Sequence, residues 1–217
     1  MPCPPTPPVV TPPVADLFQP IQSLSEVLSD AAVDGAAAGF VAAQLQPGAP
    51  VLWIQDRLSQ KETGAPYLAG FPMGLKMIRV DVSRAVDVLW SMEEGLRCAG
   101  LSAVVGEIWG DPPALDFTAS KRLALRAEAQ KCPVWLIRRA GTSNLSAARN
   151  RWRVKSLPSA PTSHDISAAG HPQWHVELFR SRSHKPGDWV VQYDAAAQKI
   201  IPIVQQDKVG APLLRAI

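Results

Sequence analysis

Val51-Leu52-Trp53-Ile54, held between Pro50 and Asp56, decides how this chain folds. Four apolar, β-prone residues in a row leave no polar face, so the segment reads as a short strand covered on both sides, as in a parallel sheet. Ala103-Val104-Val105 and Val134-Trp135-Leu136-Ile137 repeat that pattern, and shorter strands are expected at 25–28 and 77–80. Helices fall between them. An Ala-rich helix is expected over 35–46, with Phe40, Val41 and Leu45 apolar. Ser83 is placed to cap a helix in which Ala85, Val88, Leu89, Met92 and Leu96 recur at helical spacing, with Gly100 to end it. Asp116 is placed to cap another that runs to about Gln130. Strands alternating with helices predict a mainly parallel sheet with helices on both faces. Beyond 149 the pattern changes: 149–155, 174–179 and 189–193 alternate polar and apolar residues and are expected as antiparallel strands that extend the sheet. The intervening 156–172, rich in Pro, Ser and Ala, reads as a mobile polar loop.

The chain has 217 residues, 47% hydrophobic and 19% charged, enough for one substantial core. Seven prolines crowd residues 1–15, so 1–20 is expected to be a disordered, Pro-rich start and 21–194 the folded domain. The tail, 195–217, carries Ile200, Ile201, Ile203, Val204, Leu213 and Leu214, which either pack back on the core or meet a partner. No run of 18 apolar residues occurs and the start lacks a signal-like pattern, so a cytoplasmic chain without a membrane span is expected. Cys3, Cys98 and Cys132 are odd in number and widely spaced, which fits inert thiols rather than a disulfide framework or a metal site. The net charge of +3 conceals an asymmetry. Residues 1–128 hold 9 basic and 14 acidic side chains, and 129–217 hold 13 and 5, so one end is expected to be electropositive.

The first strand–turn–helix unit is where a phosphate-binding loop would lie, with Gly-rich backbone around the phosphates and a Lys on the terminal ones. Here the turn reads Asp30-Ala31-Ala32-Val33-Asp34-Gly35-Ala36-Ala37. With Gly35 in the place of the second glycine, Ala36 stands at the Lys position, Ala37 at the Ser/Thr position and Asp30 at the first glycine. Asp34 adds a second carboxylate. The expectation is a degenerate nucleotide site, with neither ATPase activity nor a cofactor. Glu107, at the end of Val105-Gly106-Glu107, is the one remnant of a metal-organising acid, and it reads equally well as a strand-end carboxylate.

Several strings carry a family resemblance. Val51-Leu52-Trp53-Ile54-Gln55-Asp56-Arg57, Leu89-Trp90-Ser91-Met92-Glu93-Glu94-Gly95-Leu96-Arg97 and Ala103-Val104-Val105-Gly106-Glu107-Ile108-Trp109-Gly110 resemble the ImuA family. So do Leu115-Asp116-Phe117-Thr118-Ala119-Ser120-Lys121-Arg122-Leu123, Arg151-Trp152-Arg153-Val154, and the stretches 174–180 and 186–194. The resemblance implies a RecA-like core and a non-catalytic accessory role in an SOS-induced translesion synthesis mutasome. The implied partners are ImuB, an inactive Y-family polymerase homologue, together with RecA, an error-prone DNA polymerase and single-stranded DNA. A residual RecA-like NTPase and an SOS cell-division inhibitor are the alternative readings. Recombinases place a glutamate after the second core strand; Gln55-Asp56-Arg57 stands there instead.

Arg149, Arg151, Arg153 and Lys155 share one parity of an expected strand and Trp152 and Val154 the other, so the cations would line one face, near Arg138 and Arg139. That face could track DNA phosphates, or serve only solubility. His171 and His175, four apart but around Pro172, suit a strand better than a helical metal pair. Trp53, Trp135, Trp152 and Trp189 sit in strand patterns that predict burial, whereas Trp109 is the tryptophan expected at the surface.

Overall fold

The computed structural model describes residues 14–29, 31–159 and 168–205. The elements are α1 (Val14–Leu17), β1 (Leu24–Ser29), α2 (Ala36–Ala42), β2 (Val51–Asp56), α3 (Arg57–Thr63), β3 (Met77–Val82) and α4 (Ala85–Gly95). Then come β4 (Ala103–Trp109), α5 (Phe117–Gln130), β5 (Val134–Arg139), β6 (Asn150–Leu157), β7 (Gln173–Ser181), β8 (Gly187–Asp194) and β9 (Lys199–Gln205). The nine described strands form one sheet in the order β3-β2-β4-β5-β1-β6-β7-β8-β9. Pairing is parallel from β3 through β6 and antiparallel from β6 to β9. The expected mixed α/β architecture, mostly parallel with antiparallel strands on the C-terminal side, is the one found. One pairing differs from expectation: β6 runs parallel to β1 and antiparallel only to β7, so it joins the two halves.

The apolar quartets form the interior because successive residues face opposite sides. Val27, Trp53, Val105, Trp135, Ile137 and Trp152 pack with Phe40 and Val41 of α2 on one face. Leu24, Ile54, Val104, Ile108, Val134 and Leu136 pack with Met92 of α4 and Leu123 of α5 on the other. Gly106 permits this layering, since a Cβ there would lie 2.2 Å from the Met92 sulfur. Asp116 caps α5 as expected, accepting from the Ala119 N–H at 2.6 Å. The start of α4 differs: Arg84, not Ser83, is the cap residue, and it pairs with Asp87 instead of bonding the helix end. That helix also stops at Gly95, well before Gly100, and α2 stops at Ala42 although the Ala-rich composition continues. The stretch 57–63, which forms α3, holds a single apolar residue, Leu58, and so shows no helical periodicity in the sequence; its signal is Asp56, whose carboxylate accepts from the Ser59 N–H at 2.7 Å.

Both expected ends move. Leu17 and Phe18 are buried, and Phe18 meets Phe40, Trp152 and Trp189 at ring-centroid distances of 6.4, 5.9 and 6.1 Å. The core therefore begins before residue 21, because an aromatic side chain in contact with three others removes far more apolar surface from water than the proline-rich context suggests. At the other end 199–205 is a strand, paired antiparallel with β8, so Ile200, Ile201 and Ile203 belong to the sheet rather than to a free tail. Ile201 and Ile203 remain exposed on this edge strand. Leu213 and Leu214, like Asp30 and the central part of the expected loop at 160–167, lie outside the described residues. Trp53, Trp135, Trp152 and Trp189 are buried as expected, but Trp109 is half-buried and Trp90, on the outer side of α4, is the exposed one at 65%.

Candidate functional site at the carboxyl ends of the parallel strands

Ligands of open α/β sheets bind beyond the carboxyl ends of their strands. Here those ends meet a cleft of about 280 Å³ bordered by Gly35 and Gly39 of the α2 region, Gln55 of β2, Tyr67, Glu107 of β4 and Arg139 of β5. Its floor is ionic and already complete. Glu107, 1% exposed, accepts from Arg139 Nε at 2.6 Å, from Gln55 Nε2 at 2.9 Å and from Trp53 Nε1 at 3.3 Å. Arg139 also donates to Ser29 Oγ at 3.3 Å and to the Asp34 carbonyl. Gln55 gives its second N–H to the Gly64 carbonyl, and its Oε1 has no partner among the described residues.

The sequence expectation of a phosphate loop without its lysine takes a concrete form. Gly35 stands at the start of α2, and Ala36 and Ala37 are buried, apolar and without a side-chain donor. Asp34 occupies the space in front of the helix. Its carboxylate accepts from the Ala36 N–H at 2.9 Å, the Ser156 N–H at 2.8 Å and the Ser156 hydroxyl. Burial raises the Asp34 pKa, but the bonds from Ser156 and Ala36 and the charge of Arg139 outweigh it, and the carboxyl lies below its ordinary range. The position after β2 is likewise structural: Asp56 caps α3 and accepts from the Trp109 N–H at 3.0 Å. Chemically, the Asp34 carboxylate is fixed beside the start of α2, and the one arginine that lines the cleft is already neutralised by Glu107.

A second ionic cluster lies on the opposite face. Arg138 and Arg139 are consecutive, so they point to opposite sides of the sheet. Arg138 donates to Glu26 of β1 at 2.9 Å, to the Gly110 carbonyl and to Asp111. Arg151 of β6 donates to the other oxygen of Glu26 at 2.5 Å. Asp111 is held below its ordinary pKa: burial raises it, but Thr142 hydrogen bonds and the Arg138 charge prevail.

These pairings remove Arg138, Arg139 and Arg151 from the expected phosphate-tracking face. Arg138, Arg139 and Arg151 are 2%, 2% and 3% exposed, and their guanidinium groups are committed to buried glutamates. Arg153 is paired with Glu177, and Arg149 with Glu128. Arg151 and Arg153 also stack on Phe179, at 5.0 and 5.2 Å from its centroid. Alternation was read correctly, but the cation face of β6 is covered at Arg151, and Glu26, Glu107 and Glu128 of the acidic half meet arginines from the basic half. Glu26 was missed; its only signal is an acid on the parity of Leu24 in an otherwise core strand. Among the described residues, no helix is long and apolar enough to cross a membrane, and no three His, Cys, Asp or Glu side chains group to hold a metal ion.

The fold and site together define a mixed α/β protein whose strand-end cleft has an ionic floor built from its own side chains. The chain is 35% identical over 159 residues to Protein ImuA of Caulobacter vibrioides, both in strain NA1000 / CB15N and in strain ATCC 19089 / CIP 103742 / CB 15. The match covers 69% of this chain and 62% of each relative, so the aligned part falls short of two thirds of those proteins. No family model matches the chain. The chain belongs to the ImuA family.

Proposed function

We propose that this protein is a non-catalytic accessory subunit of an SOS-induced translesion synthesis mutasome, acting in DNA repair and damage-induced mutagenesis. ImuB is its principal partner, with RecA, an error-prone DNA polymerase and single-stranded DNA as further contacts. The observation that carries this reading is the 35% identity to Protein ImuA over 159 residues. The order β3-β2-β4-β5-β1, with the degenerate loop directly after β1, supports a RecA-like origin for the core. The non-catalytic part is supported by Ala36 and Ala37 at the positions of the phosphate-binding Lys and metal-binding Ser/Thr, and by the Asp34 carboxylate fixed in front of α2. Like charges about 4 Å apart near a protein surface repel by about 4 kcal/mol.

Calorimetry with millimolar ATP and magnesium should give no binding heat. A dissociation constant below about 100 μM, worth about 5.5 kcal/mol, would overturn the non-catalytic reading. It would favour a residual NTPase, the second reading that the cleft of about 280 Å³ and the strand-end Glu107 keep in view. Co-purification from DNA-damaged cells tests the partner: ImuB is expected with the chain, and its absence refutes the accessory role.

A further inference from the structure

A groove remote from the strand-end cleft runs between α5, the segment leading into β6 and the end of β7. It measures about 260 Å³, and its lining includes Phe117, Lys121 and Leu125 of α5 with Arg149, Arg180 and Arg182. Four of its lining residues are cations and none is a carboxylate. The nearest acid, Glu128, is engaged by Arg149 and by the Ser23 hydroxyl, and the Arg149 bond holds its pKa below the ordinary range. The Arg182 charge acts on Glu128 as well. The side chains of Lys121 and Arg180 are exposed and have no hydrogen-bond or ion-pair partner among the described residues. Unlike Arg138, Arg139 and Arg151, these cations are available to an outside anion.

The apolar members are arranged to match. Phe117, Lys121 and Leu125 are spaced by four along α5, so they form a row on one side of the helix with steps of about 6 Å. Phe117 is 43% and Leu125 50% exposed, and Leu145 stands exposed on the adjoining segment. An amphipathic peptide helix would want a continuous apolar stripe, whereas this row is interrupted by a cation. Charge that follows a backbone beside an aromatic face that takes a base is the arrangement by which proteins hold single strands.

We propose that this groove binds the sugar–phosphate backbone of single-stranded DNA, with Lys121, Arg180 and Arg182 on phosphates and Phe117 against a base. The choice of DNA as the polyanion rests on the accessory-subunit reading above; the location rests on the groove alone.

The test is fluorescence anisotropy of a mixed-sequence oligonucleotide of about 20 nucleotides, titrated with the full chain at a series of salt concentrations. Three phosphate contacts predict a slope of log K against log salt near −2, from about −0.7 per contact. The variant K121Q/R180Q/R182Q should flatten that slope by about 2, because three contacts are lost while the exposed side-chain stems stay in place. The control R57Q/K61Q/K76Q, removing exposed cations near the β2–β3 edge, should leave slope and affinity unchanged. Equal losses in both variants, or no binding by the parent at about 50 mM salt, would overturn the groove. So would tighter binding of a polyglutamate of equal charge, which would assign the surface to an acidic protein, or of duplex over single strand. ImuB recovery by the same parent protein is scored separately. A parent that brings ImuB but binds no oligonucleotide sinks the groove alone, and one that binds through the groove without bringing ImuB sinks only the accessory role.

Discussion

The two buried glutamates of the sheet sit one strand to either side of β5, and they end up in different situations. Glu26 is gripped by two arginines, Arg138 from β5 and Arg151 from β6. Glu107 has one arginine, Arg139, and completes its shell with neutral donors from Trp53 and Gln55 beside an open cleft. The first cluster therefore ties the parallel half of the sheet to the strand that begins the antiparallel half. The second ties only neighbours within the parallel half and forms the floor of the strand-end cleft. A carboxylate at the end of a core strand is thus no guide to chemistry by itself; what distinguishes the two is which donors reach it and what space lies beyond.

The largest effect is expected from Glu26→Ala. Removing it leaves two guanidinium groups buried without their charge partner, and breaking one buried pair already costs about 3–5 kcal/mol. Since a domain of this kind is stable by roughly 5–15 kcal/mol, the variant should be insoluble or unfolded in urea titrations that leave the parent folded. A urea midpoint close to the parent's would mean that Glu26 is no clamp.

Glu107→Gln should be milder, about 3–5 kcal/mol, because it strands one buried guanidinium rather than two, and Arg139 keeps Ser29 and the Asp34 carbonyl. The pair is also dispensable in a way the Glu26 cluster is not. E107L/R139M should lie within about 1 kcal/mol of the parent or above it, as apolar pairs of similar volume often replace buried ion pairs without loss. Denaturant melts of the double variant decide this; a cost as large as that of Glu26→Ala would erase the distinction between the clusters.

The smallest effect concerns acid. The Asp34 carboxyl is held below its ordinary range, so the folded state binds its proton less readily than the unfolded chain. Its stabilisation is therefore full above the unfolded value of about 4 and is lost as pH falls through the lower folded value. Asp34→Asn should lower the melting temperature slightly at neutral pH, where the charge contributes, and flatten its fall below about pH 4, so that the variant and the parent converge in acid. An unaltered acid limb would show that Asp111 and Glu128, shifted in the same direction, account for it instead.

Sequence made the sheet legible wherever burial alone determines a residue. Val51 to Ile54 and Val134 to Ile137 could only be interior, and Asp116 could be recognised as a cap because its partner lies three residues away. The absent phosphate lysine was equally local. What escaped was set by distance along the chain. Arg151 reads as a surface cation until Glu26, 125 residues earlier, is placed beside it, and Phe18 reads as part of a proline-rich arm until three aromatic rings converge on it. The strand at 199–205 was hidden for the same reason, since its hydrogen bonds depend on β8 rather than on any periodicity of its own. Lys121 and Arg180 come together only because α5 and β7 flank the same segment.

The alternation of Arg138 and Arg139 also bears on how such a strand can evolve. Inserting or deleting one residue in β5 ahead of them would exchange their faces, aiming each guanidinium at the apolar layer its neighbour had avoided and stranding Glu26 and Glu107 at once. Single substitutions at these sites can be compensated one pair at a time, but a change of length cannot. Among descendants of this chain, β5 should drift in its letters while keeping its count, and gaps in alignments should collect in the connections on either side.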